Sequence, residues 1–283
     1  MEPFILGSYS HKKLFCELIL QGDSPNPAPL NWPELDASAQ ERLAEMRFWP
    51  SLYKQKVHQA QTLASFSHSA SGKLLQGAIA QIGQESQAQA DFIRDLCQQY
   101  QLPSLAPPGP SPLRGEAGFK RSLYNANLEL FLGSGLLGLL RQAQYLPTPL
   151  LELWASQLQI QARHVMFLAN WLVFQTQVRQ KPEYESFGAV AIWHQRRWLW
   201  ELLQRTHRNE YDDTLPESPT QADRLLGQWT FSQILSACQH SYAVQFSAFD
   251  PRLVRPLLLP RLAQAYIRMV RFWPQKTDPS PES

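Results

Sequence analysis

A chain of 283 residues that is 44% hydrophobic, with nine Trp, nine Tyr and fourteen Phe, has enough apolar side chain to bury a large core, which excludes whole-chain disorder. Its formal charge of +2 gives no general reason to expect nucleic acid or an anionic membrane as a partner. Its three cysteines, Cys16, Cys97 and Cys238, lie far apart without metal-finger spacing, which excludes a disulfide framework and suits a reducing, cytoplasmic setting.

The start Met1-Glu2-Pro3 lacks the basic-then-apolar order of a signal peptide. The longest apolar run, Leu128 to Leu140 with Glu129 inside it, is shorter than the ~20 residues of a membrane-spanning helix. A soluble protein is expected, with peripheral membrane contact left open.

Strand signals are scarce. There is no sustained period-two alternation and no Asn-Gly or Asp-Gly hairpin pair, whereas apolar residues recur at helical spacing between Pro and Gly clusters. The expected class is all-α. In chain order, Ser10 to Gln21 predicts a short apolar helix, and Gly22 to Leu35 a Pro- and Asn-rich loop. Asp36 or Ser38 can cap a short helix over 38–47. Long helices are expected from Pro50 to Ser69 and from Gly72 to Tyr100, the latter with Leu75, Ile79, Ile82, Ala90, Ile93 and Leu96 on one broad face.

Leu102 to Arg114 contains five prolines and reads as a loop. A third long helix fits Gly118 to Ala143. After a turn at Tyr145 to Pro149, a fourth begins with Thr148 as cap and Pro149 at its first position, and runs ~48 Å to about Gln180. Four long helices joined by turns and one longer loop predict a four-helix bundle. Further helical stretches follow at Tyr184 to Arg208, Thr220 to Phe246 and Pro251 to Trp273. The expected organisation is N-terminal helices and loop over 1–47, the bundle over 48–182, a C-terminal helical extension over 183–273 and a disordered tail over 274–283.

Two segments carry a family resemblance. Gln159 to Trp171, QIQARHVMFLANW, is similar to the EEARH…NW segment of bacterial ferritin-like domain proteins. Ile79 to Gln89, IAQIGQESQAQ, is similar to their earlier EExRH segment. His11 to Cys16, Phe48-Trp49 and Phe249 to Pro256 resemble the same family, in the same order along the chain. The resemblance implies a ferritin-like four-helix bundle with additional C-terminal helices. Such proteins hold a di-metal centre with a Glu on each of two helices and Glu-x-x-His on each of the other two. Residues three apart share a helix face, so carboxylate and imidazole reach a common metal pair.

Carried over to this chain, that pattern is degenerate. The first-helix Glu position falls on Lys56. The second-helix pair falls on Ser86 and Gln89, with Glu85 one position off. The third-helix carboxylate falls near Ala126, flanked by Asn127, with Glu129 a turn away. The fourth-helix pair falls on Gln161 and His164, of which only His164 keeps the ligand type. A di-iron or di-manganese centre brings about four positive charges that carboxylates must balance. One imidazole and neutral amides cannot do so, and a Lys ammonium adds repulsion. Lys56 is instead expected to pair with Glu85 or Glu129.

Each position also has a plainer role. His164 is either a remnant ligand or a hydrogen-bonded core histidine. Lys56 is either a reactive amine or an ion-pair partner. Ser86 lacks a neighbouring base and suits packing. Trp193 to Trp200 mixes Trp with cations and fits an anionic ligand or Arg-on-Trp stacking. Arg252, Arg255, Arg261, Arg268 and Arg271 form a second basic set, either a partner face or a solvated one. Gly133, Gly135 and Gly138 allow close helix approach or room for a ligand. His58 and His68, ten apart, share no face.

The expected function is a metal-free, ferritin-like pseudo-enzyme, without cofactor, that serves as a binding or assembly module for a protein or a hydrophobic small molecule. A homodimer is open. The alternative is an oxidoreductase with an atypical mono- or di-metal site, using iron or manganese at His164, Glu85 and Glu129.

Overall fold

The computed structural model describes residues 4–22, 31–46, 48–102, 105–106, 108–109, 114–179 and 227–272. These residues form eight helices and no strand: α1 (Tyr9–Leu20), α2 (Ala37–Ala44), α3 (Trp49–Ser67), α4 (Lys73–Gln99), α5 (Gly115–Gln142), α6 (Thr148–Arg179), α7 (Phe231–Gln245) and α8 (Leu258–Phe272). The chain is all-α over this range.

Local chemistry sets the helix ends. The Ser8 hydroxyl accepts from the His11 amide at 3.2 Å and starts α1. Asp36, not Ser38, caps α2 by accepting from the Ala39 amide at 2.6 Å. Pro50 lies in the first turn of α3, where its missing N–H removes no helical bond. Both α4 and α5 end by turning the backbone left-handed at a glutamine, Gln101 with φ 53° and Gln144 with φ 51°. In each case the next amide returns to the helix, Leu102 to the Cys97 carbonyl at 2.9 Å and Tyr145 to the Leu140 carbonyl at 3.0 Å.

Three expected boundaries are corrected. The third long helix begins at Gly115 rather than Gly118, with Glu116 in its first turn and 2.8 Å from Lys120. Thr220 to Phe246 is not one helix: residues 228–230 leave helical geometry, and Thr230 restarts the chain with a capping box to Gln233. The stretch expected from Pro251 becomes helical only at Leu258. Pro256 disfavours helix at Arg255, and both backbone groups of Val254 are claimed by the Asn170 side chain. Residues 184–208 and 274–283, including the Trp193 to Trp200 stretch, lie outside the described residues.

The long helices pack pairwise, α3 on α4 and α5 on α6, and α3 also packs on α5. Helix α1 contacts both α4 and α6, which otherwise touch each other only over a short stretch. It buries Phe15, Cys16 and Ile19, with Phe15 edge-on to Phe167 at 5.3 Å. Phe66, Phe119 and Trp171 form an aromatic run across α3, α5 and α6, with centroid spacings of 4.7 and 4.8 Å. Full burial of a ring such as Phe119 contributes about 2 kcal/mol. Outside this group α7 packs on α5, and α8 on α7.

The α5–α7 contact depends on glycine. A Cβ at Gly135 would lie 2.8 Å from the Cys238 Cα and 2.9 Å from its amide nitrogen, both backbone atoms that cannot swing aside. At Gly138 the nearest atom is the Ser241 hydroxyl, at 2.9 Å. These glycines therefore provide close helix approach. Gly135→Ala is expected to destabilise the protein by roughly 1–3 kcal/mol in urea unfolding, and Gly138→Ala by less because the Ser241 side chain can rotate.

Candidate functional site

The inward face of α3 carries Lys56, Gln59, Ala60 and Leu63, a helical i, i+3, i+4, i+7 set in which the first two are polar. The buried face of α4 includes Glu85, Ser86 and Gln89, and that of α6 includes Gln161 and His164. All seven positions identified by the resemblance, Lys56, Glu85, Ser86, Gln89, Ala126, Gln161 and His164, are buried.

Two ion-pair groups organise this interior. In the first, the Lys56 ammonium donates to Gln161 Oε1 at 2.6 Å and lies 2.8 Å from Glu129 Oε1. Gln55 donates to the other Glu129 oxygen at 2.9 Å, and Gln161 Nε2 donates to the Ala126 carbonyl at 2.6 Å. Burial pulls the Lys56 pKa below its ordinary value, against the opposing charge of Glu129. Of the two partners expected for Lys56, Glu129 is the one it takes.

In the second, Glu85 receives His164 Nε2 at 2.6 Å, an Arg163 guanidinium nitrogen at 3.2 Å and the Gln81 amide at 3.2 Å. Burial pushes its carboxyl pKa up, but the hydrogen bond from His164 and the adjacent charges outweigh burial and hold it below the usual range. Burial lowers the His164 pKa, with Glu85 opposing. The imidazole is neutral: Nε2–H donates to Glu85, and Nδ1 has no hydrogen-bond partner, so protonation would place an unsatisfied cationic donor in the core. Lys56 with Glu129 and Arg163 with Glu85 then leave the centre electrically balanced.

The remaining polar groups have mixed fates. The Ser86 hydroxyl donates to the Ile82 carbonyl at 2.7 Å, a back-bond within its own helix. Gln89 donates to the Gln157 carbonyl at 2.8 Å, while its oxygen and both polar atoms of Gln59 have no hydrogen-bond partner. Asn127 accepts from the Tyr242 hydroxyl at 2.5 Å, which ties α5 to α7. His58 reaches the Gly109 carbonyl at 3.1 Å, an exposed contact. Burial raises the thiols of Cys16 and Cys238 to about 12 and that of Cys97 to about 11, so all three stay protonated and unreactive. Among the described residues no group of three or more His, Cys, Asp or Glu side chains could hold a metal ion.

A second hub joins segments distant in sequence. Asn170 Nδ2 donates to the Met166 carbonyl at 2.8 Å and the Val254 carbonyl at 3.0 Å. Its Oδ1 accepts from the Val254 amide at 2.8 Å and from His11 Nε2 at 2.8 Å, while His11 Nδ1 accepts from the Gly7 amide at 3.0 Å. Three of the segments that carry the family resemblance, around His11, Asn170 and Val254, thus meet at one buried amide.

Sequence reasoning missed Arg163 as the counter-charge of Glu85 and missed Gln59. Both had weak signals: Arg163 adjoins His164, and Gln59 lies one turn beyond Lys56 on the same face. Compared with protein families, with curated proteins and with solved structures, the chain matches none.

Two expectations follow. Lys56→Met strands the mostly buried Glu129 and lowers stability by roughly 3 kcal/mol in urea unfolding, whereas Lys56→Met with Glu129→Leu recovers most of that loss. His164 has a folded pKa below its unfolded one, so the unfolded chain binds more protons between those values. Its contribution is whole above about pH 6.5 and declines as pH falls below that. The thermal midpoint should drop between about pH 7.5 and 5.5, with a shallower slope in His164→Gln.

Proposed function

We propose that this protein is ferritin-like in ancestry and architecture, and that paired charges have replaced its di-metal centre. It then works as a binding or assembly module rather than as a metal-dependent oxidoreductase. The observation that carries this reading is the Lys56 ammonium, buried on the inward face of α3 and bonded to both Gln161 and Glu129. A cation at that position repels a divalent pair and occupies one of the carboxylates that a pair would need.

The donor set does not fit two divalent ions. Glu85 is engaged by Arg163 and His164, Glu129 by Lys56 and Gln55, and the other positions supply only amides, a hydroxyl and a methyl group. Adding about four positive charges to a balanced interior leaves them without compensation. The α3–α6 framework supports a retained scaffold, and the convergence at Asn170 supports the distant resemblance segments belonging to one structural unit.

One observation favours a second reading. His164 Nδ1 is buried without a partner and its ring is oriented by a carboxylate, the arrangement in which an imidazole can take a single metal ion. Elemental analysis of purified protein separates the two. The first predicts iron and manganese well below one equivalent per chain and no metal-stimulated oxygen consumption. Stoichiometric metal that is lost in His164→Ala would replace it with the second.

A further inference from the structure

Eight large apolar side chains are strongly exposed among the described residues, and half of them belong to two segments, residues 4–13 and 250–257. Ile5 is 60% exposed, Leu6 45%, Tyr9 70% and Leu257 49%. The two segments that bear them are joined from beneath. The Phe4 ring packs edge-on to His11 at 5.8 Å, the Arg252 guanidinium lies 5.4 Å over Phe4, and Asn170 holds both His11 and Val254.

The turn that presents Ile5 and Leu6 is fixed. Gly7 takes φ 83°, a left-handed conformation that L side chains rarely adopt, and its amide donates to His11 Nδ1. The Ser8 amide closes the turn on the Ile5 carbonyl at 3.1 Å. These apolar groups are therefore held outward before any partner arrives, which lowers the ordering cost of binding.

Charge surrounds them unevenly. Residues 4–17 and 250–257 contain Lys12, Lys13, Arg252 and Arg255 against Glu17 and Asp250, a local net charge of 4 − 2 = +2. Asp250 is itself paired with Arg252 at 2.7 Å. Glu17 stands 3.7 Å from Lys13, and Lys12 donates to the Ser71 carbonyl at 3.5 Å, which leaves Arg255 as the cation nearest in sequence to Leu257.

We infer that this face docks onto a lipid bilayer containing anionic headgroups. Exposed aliphatic side chains on a turn and just ahead of a helix, an exposed tyrosine and an excess of cations occur together in two joined segments. That is the pattern of an interfacial anchor rather than of a groove that receives a helix. The local positive charge selects anionic headgroups. Among the described residues no helix is long and apolar enough to cross a membrane, and the contact proposed is a peripheral one. This assignment is independent of the metal question: metal in the interior would overturn the proposed function and leave the docking face standing.

The test is co-sedimentation of the full chain with phosphatidylcholine vesicles, with and without phosphatidylserine. Binding is expected to the serine-lipid vesicles, weakly to phosphatidylcholine alone, and to weaken as salt rises from about 0.1 to 1 M. Arg255→Ala should bind about fivefold more weakly and Ile5→Ser with Leu6→Ser about tenfold or more. Unfolding midpoints should be nearly unchanged because these side chains are exposed. Failure of the parent chain to bind acidic vesicles, or unaltered binding by the double-serine variant, overturns the assignment. So does a dimer in size-exclusion chromatography that the serine substitutions dissolve without any lipid binding, since the face would then meet a second copy of the chain.

Discussion

A charge removed from water must find an opposite charge nearby, because isolated burial costs far more than any single packing contact returns. Four helices meet under that constraint here. Lys56 enters from α3 and is met by Glu129 from α5, while Glu85 enters from α4 and is met by Arg163 and His164 from α6. Neither group is complete on one helix. The relative register of the long helices is therefore tied to two electrostatic matches, and slipping a helix by one turn would strand a charge.

The same pairing governs the chemistry the interior can perform. Carboxylates already neutralised by ammonium and guanidinium groups are poor ligands for further cations, and neutral amides do not replace them. His164 is held by Glu85 on one nitrogen and kept neutral by burial, so it neither relays a proton to solvent nor carries charge at neutral pH.

The surface is shaped by the second hub. Asn170 has both sides of its amide satisfied, by the Val254 backbone and His11 and within α6 itself, so it holds Val254 out of a helix and ties it to the N-terminal turn. One buried side chain thereby joins the segment that bears Ile5 and Leu6 to the one that bears Leu257. The interior and the docking face are built by different residues, so either can change without the other.

Helical periodicity, proline placement and capping residues made the all-α class and six of the eight described helices legible in the sequence close to their true ends, since those signals act within a few residues. The late start of α8 was only half written locally, in Pro256; the other part is Asn170, more than eighty positions away, capturing the Val254 backbone. The break before α7 was written locally, in the Thr230 capping box, but the apolar pattern running through it masked the signal. Within the centre, the sequence determined which residue types face inward and that the acidic groups are few. Only the tertiary structure decided that Lys56 takes Glu129, that Glu85 takes Arg163 and His164, and that Gln59 stays without a partner, because helix register and crossing geometry, set by packing along whole helices, choose among partners that local spacing leaves equivalent.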